Sequence, residues 1–184
     1  MRKPKLSLKI VLNVVLLLLA MLLQHSYMER VSIFGLRPNV PLAVVIVTGI
    51  VNGSVYGGAA GIIAGFYQDA MTGKILGMYA LFGLYSGALA GLFSKKENND
   101  NYLLVILVTY VMSVFFETCV YVFGYTIPII SNGGEVRAGI VYAFSRIILP
   151  GSTLNMLVGL LVFMALKTKR VRDSGDDMDV PMIL

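Results

Sequence analysis

Apolar residues occur along this chain in long runs that short polar stretches separate. The first run, Ile10 to Leu23, follows a basic stretch and predicts a first transmembrane helix. Five further runs predict helices at Val40 to Val51, Gly57 to Gln68, Leu76 to Phe93, Tyr102 to Phe123, and Pro150 to Leu166. The second and third helices fall below the roughly 20 residues that span hydrocarbon, so they either thin the membrane or form a buried hairpin inside the bundle.

The last third of the chain contains one more apolar stretch, Ile140 to Leu149. It carries Ser145 and Arg146 and is predicted to be a separate interfacial helix, with Pro150 opening the last span. The pattern therefore predicts an all-α bundle of six transmembrane helices. Its domains are a basic tail over 1–9, a membrane domain over 10–167 and a charged, disordered tail over 168–184.

Basic residues predict the topology of this bundle. With six spans, the inside segments hold four basic residues before Ile10, two at Lys95 and Lys96, and four after Leu166, which makes ten of fifteen. Cytoplasmic loops of membrane proteins show this excess. We therefore expect a multi-pass protein of the cytoplasmic membrane with both termini in the cytoplasm.

Composition indicates an integral membrane protein without catalytic or metal chemistry. Charged residues make up 14% of the chain and mean hydropathy is +0.80, whereas a soluble domain is about 25% charged. The net charge of +5 is attributed to topology rather than to nucleic-acid binding. The chain has one cysteine, Cys119, one histidine, His25, and no phosphate-binding loop. Ser86 and His25 form only a weak candidate pair for a protease, so we expect no enzyme activity, no metal and no cofactor.

Glycine recurs every four residues along two of the predicted helices. The two stripes are Gly57, Gly61 and Gly65 on the third helix and Gly83, Gly87 and Gly91 on the fourth. A four-residue step returns to nearly the same helix face, and small residues let membrane helices approach closely. The stripes either pack the protein's own helices together or receive a helix of a partner, and at least one stripe should touch another helix backbone.

Three charged residues lie within or beside the apolar runs. Asp69 ends the third helix, where it either caps a turn or contacts a partner. Glu117 lies within the fifth helix and either pairs with Arg146 or hydrogen-bonds across helices. We favour a structural role for Glu117 over proton transport, and we expect that the first and outer-facing helices hold no small-molecule pocket lined by charged side chains.

Several short motifs occur in a fixed order along the chain. They are Pro38-Asn39 at the start of the second helix, the glycines of the third helix with Asp69 at its end, Leu76-Gly77 at the start of the fourth helix, and Pro150 and Asn155 in the last helix. In this order and spacing they resemble the MreD family of bacterial rod shape-determining proteins over about residues 10–167. The family often has Gly-Leu before its aspartate, where this chain has Tyr67 and Gln68.

The resemblance implies a non-enzymatic part of the cell-elongation machinery in the bacterial membrane. It implies association with the bitopic protein MreC and a place in one complex with MreB, RodA and penicillin-binding protein 2, without nucleic acid. It also implies a fold similar to the six-helix substrate-binding subunits of energy-coupling-factor transporters. One glycine stripe, with Asp69 nearby at the outer end, should then lie near the surface that receives the partner's single helix.

Two alternatives to this function remain at the level of sequence. One is a vitamin-binding subunit of an energy-coupling-factor transporter, whose first helix usually carries Ala-x-x-x-Ala and whose pocket commonly contains tryptophan. This chain has one alanine in its first helix, Ala20, and no tryptophan. The other alternative is an assembly factor of a different membrane complex.

Overall fold

The computed structural model describes residues 5–28, 36–72, 75–94, 101–127 and 140–175, which form six helices. The first four are α1 (Lys5–Leu23, followed by a π-helical turn at Gln24–Met28), α2 (Val40–Asn52), α3 (Ser54–Thr72) and α4 (Met78–Gly91). The last two are α5 (Tyr102–Tyr121, with a π-helical turn at Val122–Thr126) and α6 (140–175, made of Ile140–Ala143, a π-helical turn at Phe144–Ile148, and Leu149–Gly175). The prediction of an all-α fold with six helices is confirmed for these residues.

Helix α2 is the central element of the bundle. Every residue from Val40 to Ile50 is buried, and α2 contacts each of the other five helices. Over this range the sequence is apolar on all sides except for Thr48, as expected of a helix segment that protein surrounds completely. The expected burial inside the bundle is thus found for α2. The predicted third helix was too short, since α3 has 19 residues. It is also not fully buried, because one of its faces is exposed.

Local sequence explains how α2 begins and ends. The side chain of Asn39 accepts a hydrogen bond from the N–H of Leu42, which caps the first turn, and Pro41 occupies a position where no backbone donor is needed. Gly53 follows α2 with a φ of +99°, a conformation that glycine adopts without a Cβ penalty. The single residue between α2 and α3 therefore makes a tight turn.

The prediction of a separate interfacial helix at Ile140 to Leu149 was wrong. Residues 140–175 form one continuous helix, and Pro150 lies inside it. Within the π-helical turn before the proline, the N–H of Leu149 donates to the carbonyl of Phe144, five residues earlier. This wider turn shifts the hydrogen-bond register ahead of a residue that has no N–H, so the helix passes through Pro150 without breaking.

Several other predictions concern the ends of the chain and its loops. Helix α6 continues to Gly175, beyond the predicted end at Leu166, and includes the first part of the predicted tail. Lys95 and Lys96, the loop at 128–139, and the tail from 176 onward lie outside the described residues.

The outer surface of the bundle is strongly apolar. Two helices in the described part of the chain are long and apolar enough to cross a membrane, Tyr102–Thr126 with 25 residues and Val141–Lys167 with 27. Large apolar side chains are also exposed on the outward faces of other helices, including Leu18, Leu22, Ile63 and Phe66. Exposed apolar side chains in this number mark contact with lipid or with a protein partner.

Candidate functional site

The two glycine stripes face each other along α3 and α4. A Cβ added at Gly61 would fall on the backbone of Gly83, and one added at Gly57 would fall on the backbone of Gly87. At the ends of the contact, Gly65 lies against the backbone of Ala80, and Gly91 lies against that of Ser54. The stripes therefore pack against each other within the chain, which is one of the two arrangements that the sequence left open.

A further glycine, Gly49 of α2, joins this contact and was missed by the sequence analysis. A Cβ added at Gly49 would fall on the carbonyl oxygen of Gly87, and one added at Gly57 would lie 2.6 Å from the Cα of Gly49. Three helices thus meet where each has a glycine. Gly49 stands alone in a run of β-branched residues, so no spacing in the sequence marked it.

Asp69 caps the helix that follows its own. Its Oδ1 accepts a hydrogen bond from the N–H of Tyr79 at 3.0 Å, and its Oδ2 accepts one from the N–H of Ala80 at 3.1 Å. Helix α4 has no side-chain cap of its own, because Gly77 stands at the N-cap position with a φ of +89°. The buried carboxylate of Asp69 supplies the acceptors and the negative charge that this helix end favours.

Asn39 is the centre of a polar network that joins four helices. Its Oδ1 accepts from Nε2 of Gln68 at 2.9 Å as well as from Leu42, and its backbone N–H donates to Oδ1 of Asn155 at 2.6 Å. The Oε1 of Gln24 accepts from the N–H of Val40 at 3.0 Å. The start of α2 is therefore held by side chains from the ends of α1 and α3 and from α6.

Glu117 of α5 completes this network. Its carboxyl group is hydrogen-bonded to the side chains of Asn39 and Asn155. Both asparagines already use Oδ1 as an acceptor, so their amide nitrogens are the donors to Glu117. Arg146 is exposed on the π-helical turn of α6, and no ion pair joins it to Glu117 in the parts of the chain that the structure describes. Of the two arrangements expected for Glu117, the structure has the hydrogen bond across helices.

The network borders a cavity of about 410 Å³. Its lining includes the charged side chains Glu117 and Arg37, the tyrosines Tyr67, Tyr79, Tyr121 and Tyr125, and the amides of Gln24, Asn39 and Gln68. We expected the first and outer-facing helices to hold no pocket lined by charged side chains. That expectation was wrong, because the end of α1 contributes Gln24 to this lining. It failed because Glu117 and Arg37, 80 positions apart in sequence, come to line one cavity only after the bundle assembles.

All six helices contribute to this cavity at or near one end. Helices α1, α3 and α5 contribute residues where they end, and α2, α4 and α6 contribute residues at or close to their start. This arrangement requires neighbouring helices in the chain to run in opposite directions. The cavity therefore lies at one end of an up-and-down bundle.

The residues that resemble family motifs occupy distinct places around this end. Asn39 and Asn155 are bonded to each other, Pro38 is buried beside them, and Gly77 supports the cap made by Asp69. Pro150 lies one turn before Asn155 in α6. Gln24, Gln68 and the tyrosines were not singled out as site residues in the sequence analysis. The signal that marks them is a polar or tyrosine side chain at the end of an apolar run.

Comparison with protein families identifies the chain. The family model for rod shape-determining protein MreD matches residues 4–168. The chain belongs to the MreD family. Searches of curated proteins and of solved structures found no match.

Membership of the MreD family confirms the resemblance that the motifs indicated. It implies a role in rod shape determination, within a family of structural membrane proteins. Together with the two long apolar helices, it indicates a membrane protein. The matched residues of the MreD family model include the glycine stripes, Asp69, the asparagine network and the cavity.

Proposed function

We propose that this chain is a non-enzymatic membrane scaffold of the bacterial rod complex. It spans the cytoplasmic membrane six times with both termini in the cytoplasm. It binds an MreC-like bitopic protein, belongs to one complex with MreB, RodA and penicillin-binding protein 2, and so helps direct lateral peptidoglycan synthesis. The observation that supports this proposal is the match to the MreD family over residues 4–168, which covers almost the whole helical bundle.

The partner's single helix docks on the outward face of α3 in this proposal. The glycines of α3 are occupied by α4, so the partner must use the neighbouring face. That face exposes Ala59, Ile63, Phe66 and Ala70 at helical spacing, with small residues at both ends and large apolar ones between them. Small residues permit close approach of a second helix in lipid, where hydrophobicity contributes little to association. Ala70, at the end of this face, directly follows Asp69 in the sequence, so the proposed docking face includes the end of α3 that the resemblance implied.

Co-purification from native membranes tests the scaffold function. A tagged chain, extracted gently and analysed by protein identification, should retain an MreC-like protein together with rod-complex enzymes. Deletion of the gene should give rounded cells, and the wild-type copy should restore the rods. Rod-shaped deletion cells, or a purified chain that never retains an MreC-like protein, would refute the proposal.

Photo-crosslinking locates the docking face. A photoreactive amino acid at Ile63 on α3 should crosslink to the MreC-like protein, and one at Leu107 on α5, which is similarly exposed, serves as the matched control. Crosslinks at Leu107 without crosslinks at Ile63 would assign the docking face to α5 instead.

The cavity favours a second candidate function, the substrate-binding subunit of an energy-coupling-factor transporter. Its volume of about 410 Å³ falls within the roughly 300–1,000 Å³ of small-molecule sites. This candidate predicts that the chain co-purifies with a transporter ATPase and that a water-soluble vitamin raises its melting temperature. Neither result is expected from a rod-complex scaffold.

A further inference from the structure

The cavity at the end of the bundle brings charged and aromatic side chains together with the network that holds the start of α2. The amides of Gln24, Asn39 and Gln68 are engaged in holding α2, and the hydroxyl of Tyr67 donates to the carbonyl of Met21 at 3.2 Å. The carboxylate of Glu117, the guanidinium of Arg37 and several tyrosine rings also line the cavity. These groups form two opposite charges and an aromatic wall around one space.

The inner part of this space favours a cation. Glu117 is held only by the neutral amides of Asn39 and Asn155, which orient its carboxylate but do not neutralise it. Across the described ranges no basic side chain forms an ion pair with Glu117, although a charge in apolar surroundings is stabilised when it is paired. The rings of Tyr121 and Tyr125 stack at 5.9 Å in the same lining, and tyrosine faces attract ammonium groups.

The outer part of the space favours an anion. Arg37 is exposed while it lines the cavity, so its guanidinium lies toward the rim. Within the described part of the chain it has no hydrogen bond or ion pair that occupies it. Guanidinium groups bind phosphate through paired N–H donors. A ligand that fits both parts carries an amine at one end and a phosphate a short distance away.

We propose that this cavity binds a phosphoethanolamine group, with the ammonium directed inward to Glu117 and the tyrosines and the phosphate at Arg37. The group comes either from the headgroup of phosphatidylethanolamine or from a soluble phosphoethanolamine compound. A primary ammonium donates N–H hydrogen bonds to the Glu117 carboxylate, whereas the quaternary ammonium of choline has no N–H to donate. The site therefore prefers phosphatidylethanolamine over phosphatidylcholine, and both over phosphatidylglycerol, which has no amine.

Native mass spectrometry of the purified full-length chain tests this preference. The chain in detergent is mixed with phosphatidylethanolamine, phosphatidylcholine and phosphatidylglycerol that have identical acyl chains. We expect at least about tenfold more bound phosphatidylethanolamine than phosphatidylglycerol, which corresponds to roughly 1.4 kcal/mol. Glu117→Gln should abolish most of this preference, whereas Arg37→Gln should lower the binding of all three lipids, because the phosphate is common to them. Arg146→Gln is the matched control, because Arg146 is exposed and does not line the cavity.

Two controls keep the result decisive. Arg37 is exposed, so Arg37→Gln should preserve the melting temperature even if Glu117→Gln weakens the asparagine network. Displacement of the lipid by soluble phosphoethanolamine shows that the headgroup chemistry suffices, whereas retention of the lipid alone shows that the acyl chains contribute to the same site. Equal binding of the three lipids, or undiminished lipid binding by folded Arg37→Gln protein, would overturn the proposal.

Discussion

Asp69 is a buried carboxylate that belongs to one helix and completes another. Its two oxygens accept from successive N–H groups of α4, whose own N-cap residue is Gly77. Glycine at that position gives the chain its left-handed turn but leaves the first N–H groups without a side-chain acceptor. The pairing of an aspartate at the end of α3 with Leu-Gly at the start of α4 is therefore one structural unit divided between two motifs.

Replacement of Asp69 by alanine should destabilise the bundle. The loss is expected to be at least about 1–2 kcal/mol, because two N–H groups in a buried setting lose their acceptor. Thermal unfolding in detergent measures it. Asn101→Ala is the matched control, since Asn101 caps α5 from an exposed position through the N–H of Leu103 at 3.2 Å, where water can substitute. Equal stability losses in the two variants would contradict the proposed role of Asp69.

Helices α3 and α4 approach each other closely for a simple steric reason. Backbone lies on backbone at Gly57, Gly61, Gly83 and Gly87, so no side chain keeps the two axes apart. Gly49 brings α2 into the same contact. In lipid such packing replaces the hydrophobic driving force that is absent between apolar surfaces.

A single methyl group on this contact should separate the helices. Gly61→Ala places its Cβ against the backbone of Gly83, and we expect a loss of roughly 1–3 kcal/mol from overpacking. Gly151→Ala is the control, because nothing lies within 4 Å of a Cβ at that position. The melting temperature should fall for the first variant and stay unchanged or rise slightly for the second. If Gly61→Ala instead keeps its stability but loses the MreC-like partner, the stripe contacts the partner and not α4.

The whole bundle runs up and down, with the cavity at one end. In the proposed topology this end faces outward and the opposite end faces the cytoplasm. Cysteine labelling in a Cys119→Ser background tests the orientation. A cysteine at Arg37 should react with a membrane-impermeant reagent in intact cells, and one at Asn98 should react only after the membrane is opened. Labelling of Asn98→Cys from outside would reverse the topology.

The sequence predicted features that depend on neighbours along the chain. Six apolar runs gave six helices, Pro38-Asn39 gave the start of α2, and the glycine periodicity gave a packing face. The continuity of α6 was missed because a proline normally ends a helix, and only the hydrogen-bond register before Pro150 shows that this one does not. Position along the chain could not reveal that Asn39 contacts residues from other helices.

The cavity could not be predicted from the sequence for the same reason. It forms where the ends of six helices meet, and its two charged residues come from α5 and from the segment before α2. Glu117 is the one charged residue in its apolar run, which indicated that it makes a polar contact but not which residues it contacts. The amides that hold it, Asn39 and Asn155, were noticed only as members of family motifs.

The burial of α2 has a consequence for the way the protein is made. Its 13 residues extend only about 20 Å, whereas the hydrocarbon layer is about 30 Å thick. During synthesis, α2 emerges before α3 and α4, the helices that meet it at the glycine contact. In the proposed six-span topology we therefore expect that α2 does not settle in lipid as an independent segment and is retained at the insertion machinery until those helices arrive. The bundle is then expected to enter the membrane as a group of several helices rather than one helix at a time.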